Sequence, residues 1–100
     1  MLTIFLSKSS RAEKKFMVRI SPDKTVHFGA RGYEDYTMHK DDDRLSNYIS
    51  RHHARENWTK SGIDTAGFWS RWLLWNKPSL RDSIKDIEKR FNVKINYKSN

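Results

Sequence analysis

Apolar and polar residues alternate through much of the first 30 positions and then recur at helical spacing, which predicts a sheet followed by covering helices. Leu2-Thr-Ile-Phe-Leu6 and Lys15-Phe-Met-Val-Arg-Ile20 are β-branched and aromatic runs. The polar stretch from Ser7 to Lys14 between them reads as the loop of a hairpin. Ser21-Pro-Asp-Lys24 reads as a turn, with proline presetting φ, and Thr25-Val-His-Phe28 as a third strand. Phe16, Val18 and Ile20, like Val26 and Phe28, recur at period 2, so one face of the meander meets the core while Arg19 and His27 point away.

Gly29 to Lys40 holds two glycines and two tyrosines with no sustained period, and is expected to be an ordered connecting loop. Asp41, Asp42 and Asp43 are candidate N-caps for a first helix from Arg44 to about Asn57, whose inner face carries Leu45, Tyr48, Ile49 and His52. Arg44, Arg51 and Arg55 form a second stripe beside it. Trp58 and Thr59 to Gly62 break that pattern, and Asp64 or Thr65 can cap a second helix from about Ala66 to Asn76. Phe68, Trp69, Trp72, Leu73 and Trp75 cover most of its circumference, with Leu74 near the opposite side, as expected of a helix sandwiched in a core. Pro78 ends it, because the residue before a proline is biased away from helical angles.

Ser79 and Asp82 resemble a capping box for a third helix with Leu80, Ile84, Ile87 and Phe91 on its dry side. The charges on its outer surface suit pairing three and four residues apart. Val93 to Tyr97 alternates again and is expected to add a short closing strand to the meander. The expected fold is therefore α+β: one domain spanning residues 1–100, with a small antiparallel meander of three strands plus a short C-terminal strand. About three helices pack on it, the Trp-rich one at the centre.

Charge changes the picture by pointing to partners. Twenty Lys and Arg against 12 Asp and Glu give a net charge of +8, which favours nucleic acid, anionic lipid or acidic protein surfaces. Acidic residues are interspersed throughout and no basic tail exists. With no cysteine, a disulfide framework, a thiolate nucleophile and a thiolate-held metal are excluded. The apolar opening from Met1 to Leu6 is too short for a signal peptide, and no stretch is long enough to span a bilayer, so neither secretion nor membrane insertion is expected.

The four histidines and three consecutive aspartates lack chelating spacing: His52 and His53 are adjacent, and His39 with Asp41 fits helix capping better than a metal site. No nucleophile elbow, phosphate-binding loop or dinucleotide fingerprint occurs. Asp35, His39 and Glu56 are the groups to test for acid-base chemistry, and the expectation is no enzyme, no metal and no cofactor. For anion or partner binding the candidates are Arg31, Tyr33, Tyr36, Arg44, Arg51, Arg55 and Lys60, with arginines gripping phosphates and exposed tyrosines stacking on bases. The alternative is that the tyrosines plug the loop onto the domain and that Arg51 and Arg55 pair with acids such as Asp43 or Glu56. Arg71, inside the apolar helix, either stacks on an indole or meets a carboxylate, with Asp64 and Glu56 as intramolecular partners.

Three segments carry a resemblance. Phe28-Gly-Ala-Arg-Gly-Tyr-Glu-Asp-Tyr-Thr-Met-His-Lys-Asp41, Arg51-His52 with Glu56-Asn-Trp58, and Ser61-Gly-Ile-Asp-Thr-Ala-Gly-Phe-Trp-Ser-Arg-Trp-Leu-Leu-Trp-Asn-Lys-Pro78 resemble a family of small proteins of large nucleocytoplasmic DNA viruses of algae and amoebae. The likeness spans roughly residues 15 to 92. That family is a domain of unknown function, so the resemblance implies a viral origin and supplies no catalytic residues. It also implies a virion component, either a minor capsid or internal protein or one that contacts the packaged genome, located in the virion or in the cytoplasm or virus factory of the host. Two readings follow: an adaptor docking on acidic surfaces of viral structural proteins, or a protein holding the DNA or RNA backbone without sequence preference. The interspersed acids favour the adaptor.

Overall fold

A computed structural model describes residues 1–98. Strands β1 (Leu2–Lys8), β2 (Lys14–Ser21) and β3 (Lys24–Ala30) form the expected meander. Leu6 lies opposite Val18, Val18 opposite Val26 and Phe16 opposite Phe28. This register puts the apolar set on one face, because directly opposed residues share a side of the sheet.

The closing strand β4 (Val93–Lys98) pairs with β1 and runs parallel to it, with Ile4 opposite Ile95, giving the order β3-β2-β1-β4. The short C-terminal strand thus adds to the meander as expected, and its parallel direction makes the sheet mixed. From β3 at one edge the chain passes through the helical layer and returns at the other edge. Helix α4 (Leu80–Phe91) ends at Asn92, whose φ of 55° turns the chain at once into β4. A parallel neighbour needs a crossover of that kind in place of a hairpin.

Between β3 and α4 the helices are shorter than their apolar periods suggest. One turn, α1 (Tyr36–His39), forms inside the expected loop because the Asp35 carboxylate accepts from Thr37 N at 3.0 Å. Helix α2 (Asp42–His52) is capped by Asp41, which accepts from the amides of Asp43 and Arg44. It stops five residues before Asn57. His52 is its last inward position, and Asn57 builds its own turn by accepting from the Thr59 amide and hydroxyl. A short 3₁₀ turn covers Lys60–Gly62.

The Trp-rich segment starts as helix α3 (Ala66–Trp69), with Thr65 Oγ1 accepting from Phe68 N. It then widens into a π turn over Ser70–Leu74, closed by the Trp75 amide on Ser70 O at 3.0 Å. The wider turn rotates later side chains relative to an α-helical wheel. Leu74, expected on the side opposite the aromatic arc, is buried and meets β3 at Gly29. Gly29 has a φ of 78°, and a Cβ there would approach Leu74 Cδ1 to 2.8 Å, so both the backbone and the packing require glycine.

The core joins Ile4, Leu6, Val18, Val26, Phe28, Val93 and Ile95 of the sheet to Phe68, Trp69, Leu73, Ile87 and Phe91 of the helical layer. The indole N–H groups of Trp69 and Trp72 donate to the carbonyls of Ile63 and Trp58, which removes the cost of burying them. Ser83, fully buried on α4, accepts from the Lys77 amide at 3.0 Å and fastens the segment around Pro78 to the helix.

Candidate functional site

The core occupies one face of the sheet, and alternation sends Thr3, Phe5, Ser7, Met17, Arg19, Thr25, His27, Lys94, Asn96 and Lys98 to the other. Strand pairing arranges them in rows. Asn96, Phe5, Arg19 and Thr25 lie side by side across all four strands, and Lys98, Ser7, Met17 and His27 form the next row. Phe5 is 54 % exposed, which is unusual for a phenylalanine at the centre of a sheet. Except for His27, the two rows line a groove of about 820 Å³, bounded at one end by the turn at Pro22. At the other end the β1–β2 loop folds back over the sheet, with Ser9 Oγ 2.8 Å from His27 Nδ1.

Arg19, Lys94 and Lys98 are exposed on this face, whose outward strand positions carry no Asp or Glu among the described residues; Glu13 lies in the β1–β2 loop and does not line the groove. Asp23 lies in the turn beside Pro22 but does not line the groove. An aromatic ring next to a guanidinium, a carboxamide and an ammonium, with no carboxylate to neutralise them, suits a planar anionic partner.

The residues singled out from the sequence lie elsewhere, on several elements. Arg31 and Tyr33 are exposed in the segment after β3, Tyr33 at 73 %. Tyr36, a candidate for stacking on a base if exposed, is buried at 7 %. Its hydroxyl donates to Asp42, and that bond, together with burial, raises its pKa above the ordinary value. The alternative in which a tyrosine plugs the loop is thus the observed one for Tyr36. Arg44 pairs with Glu34 at 3.0 Å on the surface. Arg51 is exposed on α2, but α2 ends before Arg55, which folds back to donate from Nη2 to the Arg51 carbonyl at 3.5 Å. The continuous arginine stripe is therefore corrected to Arg44 and Arg51 alone, and neither Arg51 nor Arg55 forms an ion pair with Asp43 or Glu56 among the described residues. Lys60 is exposed at the start of the 3₁₀ turn.

Arg71 takes the stacked alternative. Its guanidinium lies 4.4 Å from the ring centroid of Trp72 and 5.4 Å from that of Trp58, and Nη1 donates to Trp75 O at 2.6 Å. Neither Asp64 nor Glu56 pairs with it among the described residues. Burial, then the nearby Arg90, lowers its pKa. Arg90 also sits 4.4 Å from the Trp72 ring and pairs with Asp86. Burial pushes the Asp86 carboxyl up, but hydrogen bonds from Asn76 and Arg90 outweigh it and leave the pKa below its ordinary value. Beside this cluster Tyr48 stacks on Trp75 with centroids 4.5 Å apart, and burial pushes its phenol up to about 12, with Glu56 adding to the rise.

Two of the three groups considered for acid-base chemistry, Asp35 and His39, make structural hydrogen bonds. Asp35, buried, accepts from Lys15 Nζ and from the Thr37 amide and hydroxyl. His39 Nδ1 accepts from the Asp41 amide. No group of three or more His, Cys, Asp or Glu side chains is placed to hold a metal ion among the described residues, and no helix there is long and apolar enough to cross a membrane.

Sequence reasoning turned Arg19 and His27 outward but missed Phe5, Asn96 and Lys98 as their neighbours. The signal was present in β1: Leu2-Thr-Ile-Phe-Leu6 is apolar on both sides of a strand whose even positions suffice for the core.

A family of unknown function (DUF5754) has a model that matches residues 5–52, just under half of the chain. The matched part contains most of β1, all of β2 and β3, and α1 and α2, and stops before the Trp-rich segment. No curated protein and no solved structure shows a significant match.

Proposed function

We propose that this chain is a non-enzymatic binding protein whose working surface is the uncovered face of the sheet and whose partner is nucleic acid. The observation that carries this reading is the combination of an exposed Phe5 with Arg19, Lys94 and Lys98 on a face without a carboxylate among the described residues. Backbone phosphates supply what that face lacks, and neutralising them releases counterions, so affinity falls steeply with salt. With the resemblance to proteins of large DNA viruses, the proposed context is the virion or virus factory, and the proposed ligand is the viral genome or its transcripts.

The test is a titration of labelled DNA at several salt concentrations with wild type and the double variant Arg19→Glu/Lys98→Glu. Micromolar or tighter binding at physiological salt, a steep log-log salt slope and at least a tenfold loss in the variant are expected. No retention on DNA at moderate salt, or a variant that binds like wild type, contradicts the reading.

The adaptor reading uses the same face. Phe5, Met17 and the apolar floor of the groove resemble the anchors of a protein interface, and acidic viral structural proteins, a minor capsid component among them, would be the partners. Recovery of such a protein from virions by wild type but not by the double variant, without DNA binding, would favour it.

A further inference from the structure

The two rows across the sheet allow a narrower statement, which rests on the nucleic-acid reading above. We infer that the groove receives an unpaired nucleobase stacked on Phe5, so that the chain prefers single-stranded nucleic acid to duplex.

Three features carry this. Phe5 stands on a central strand, half exposed, with its ring available from the open side of the groove. A base inside a duplex is covered above and below by its neighbours and cannot offer a face to such a ring, whereas a base in a single strand can. The cross-strand neighbours of Phe5 complete a base site. Arg19 on β2 and Asn96 on β4 lie directly opposite it on either side. Side chains so opposed have Cβ atoms roughly 5 Å apart, within reach of one planar ligand. Asn96 brings a donor and an acceptor for a base edge, and Arg19 brings a cation for the adjoining phosphate.

The third feature is charge placement. Arg19 belongs to the second strand from one edge and Lys98 to the strand at the other edge, so cations stand on both sides of the ring. A strand laid across β1 can therefore place a phosphate on each side of the stacked base. Nothing acidic lines the groove to discriminate between base types by repulsion. The expected preference is for unpaired over paired bases, with little sequence selectivity.

The experiment is fluorescence anisotropy with a labelled mixed-sequence DNA 12-mer at physiological salt, competed by unlabelled single strand, matched duplex or an oligoglutamate peptide. Single strand is expected to compete at least tenfold better than duplex, and the peptide poorly. Phe5→Ala is expected to weaken single-strand binding by tenfold or more with an unchanged salt slope, because stacking and counterion release are separate contributions. Phe5→Trp should retain or tighten binding. Phe5→Leu, which keeps an apolar side chain but no π face, should behave like Phe5→Ala.

Equal competition by duplex together with an inert Phe5→Ala overturns the base-stacking inference. If Arg19→Glu/Lys98→Glu still abolishes binding in that case, the nucleic-acid reading stands as backbone binding alone. Binding restored by Phe5→Leu, or oligoglutamate competing as well as single strand, overturns the inference in favour of an apolar or acidic protein ligand. No binding to either nucleic acid overturns both.

Discussion

The two faces of the sheet use the same residue types to opposite ends. On the covered face Phe28 is fully buried and packs on Trp69 with ring centroids 6.2 Å apart, while on the other face Phe5 stands half exposed. Arg71, in the helical layer, is held between indoles and a backbone carbonyl. Arg19, on the open face, has no carboxylate partner among the described residues. The densest aromatic motif in the chain is thus mostly engaged in its own core. The phenylalanine that the open face presents, Phe5, comes instead from a quiet strand. Composition marks where a core is rich, but strand alternation marks which side chains it leaves over.

If that contrast is sound, the largest effects on stability belong to the covered face. Trp69→Ala should cost about 4 kcal/mol, measured by urea unfolding, because it removes a fully buried indole and leaves a cavity. A cost below about 1 kcal/mol would mean that the helical layer is not packed on the sheet as described. Gly29→Ala should cost roughly 2 kcal/mol, since the left-handed backbone and the Leu74 contact both oppose a side chain. Pairing it with Leu74→Ala should relieve only the steric part.

Tyr48 gives a pH dependence of the helical layer. Its phenol is raised from 10.0 to about 12 in the folded protein, so the neutral form is the one the fold favours. That contribution is fully present below pH 10 and is lost as the pH climbs towards 12, by on the order of 2 kcal/mol. Unfolding midpoints measured across that range should fall for wild type and fall less for Tyr48→Phe. The smallest stability effect is expected on the open face: Phe5→Ala should change unfolding free energy by no more than about 0.5 kcal/mol while weakening nucleic-acid binding. A large loss of stability there would erase the distinction between the faces.

Much of the architecture was legible because buried strands and helices leave periodic traces. Val18, Val26 and Phe28, or Ile87 and Phe91, need no tertiary information to be assigned inward. Caps were equally readable at Asp41, Thr65 and Ser79, where a short polar side chain precedes a helical run. The parallel pairing of β4 was not readable, since the alternation of Val93 to Ile95 is the same in either direction. Nor was the π turn, whose single inserted residue shifts Leu74 without altering composition. For Tyr36 exposure and plugging of the loop both stayed open, because its partner Asp42 lies in the next helix and local polarity does not reveal a hydrogen bond that pulls a tyrosine inward. At the candidate site, Phe5, Arg19 and Asn96 come from three strands separated by up to 91 positions, and only the sheet register makes them neighbours.

Amide chemical-shift mapping of the isotope-labelled protein during titration with a single-stranded DNA 12-mer shows whether the uncovered sheet face is the nucleic-acid surface. Saturable shifts are expected at Phe5, Ser7, Met17, Arg19, Asn96 and Lys98, with little change at Tyr33, Arg44, Arg51, Arg55 and Lys60. Shifts centred on those latter residues, or no shifts at all, would contradict that assignment.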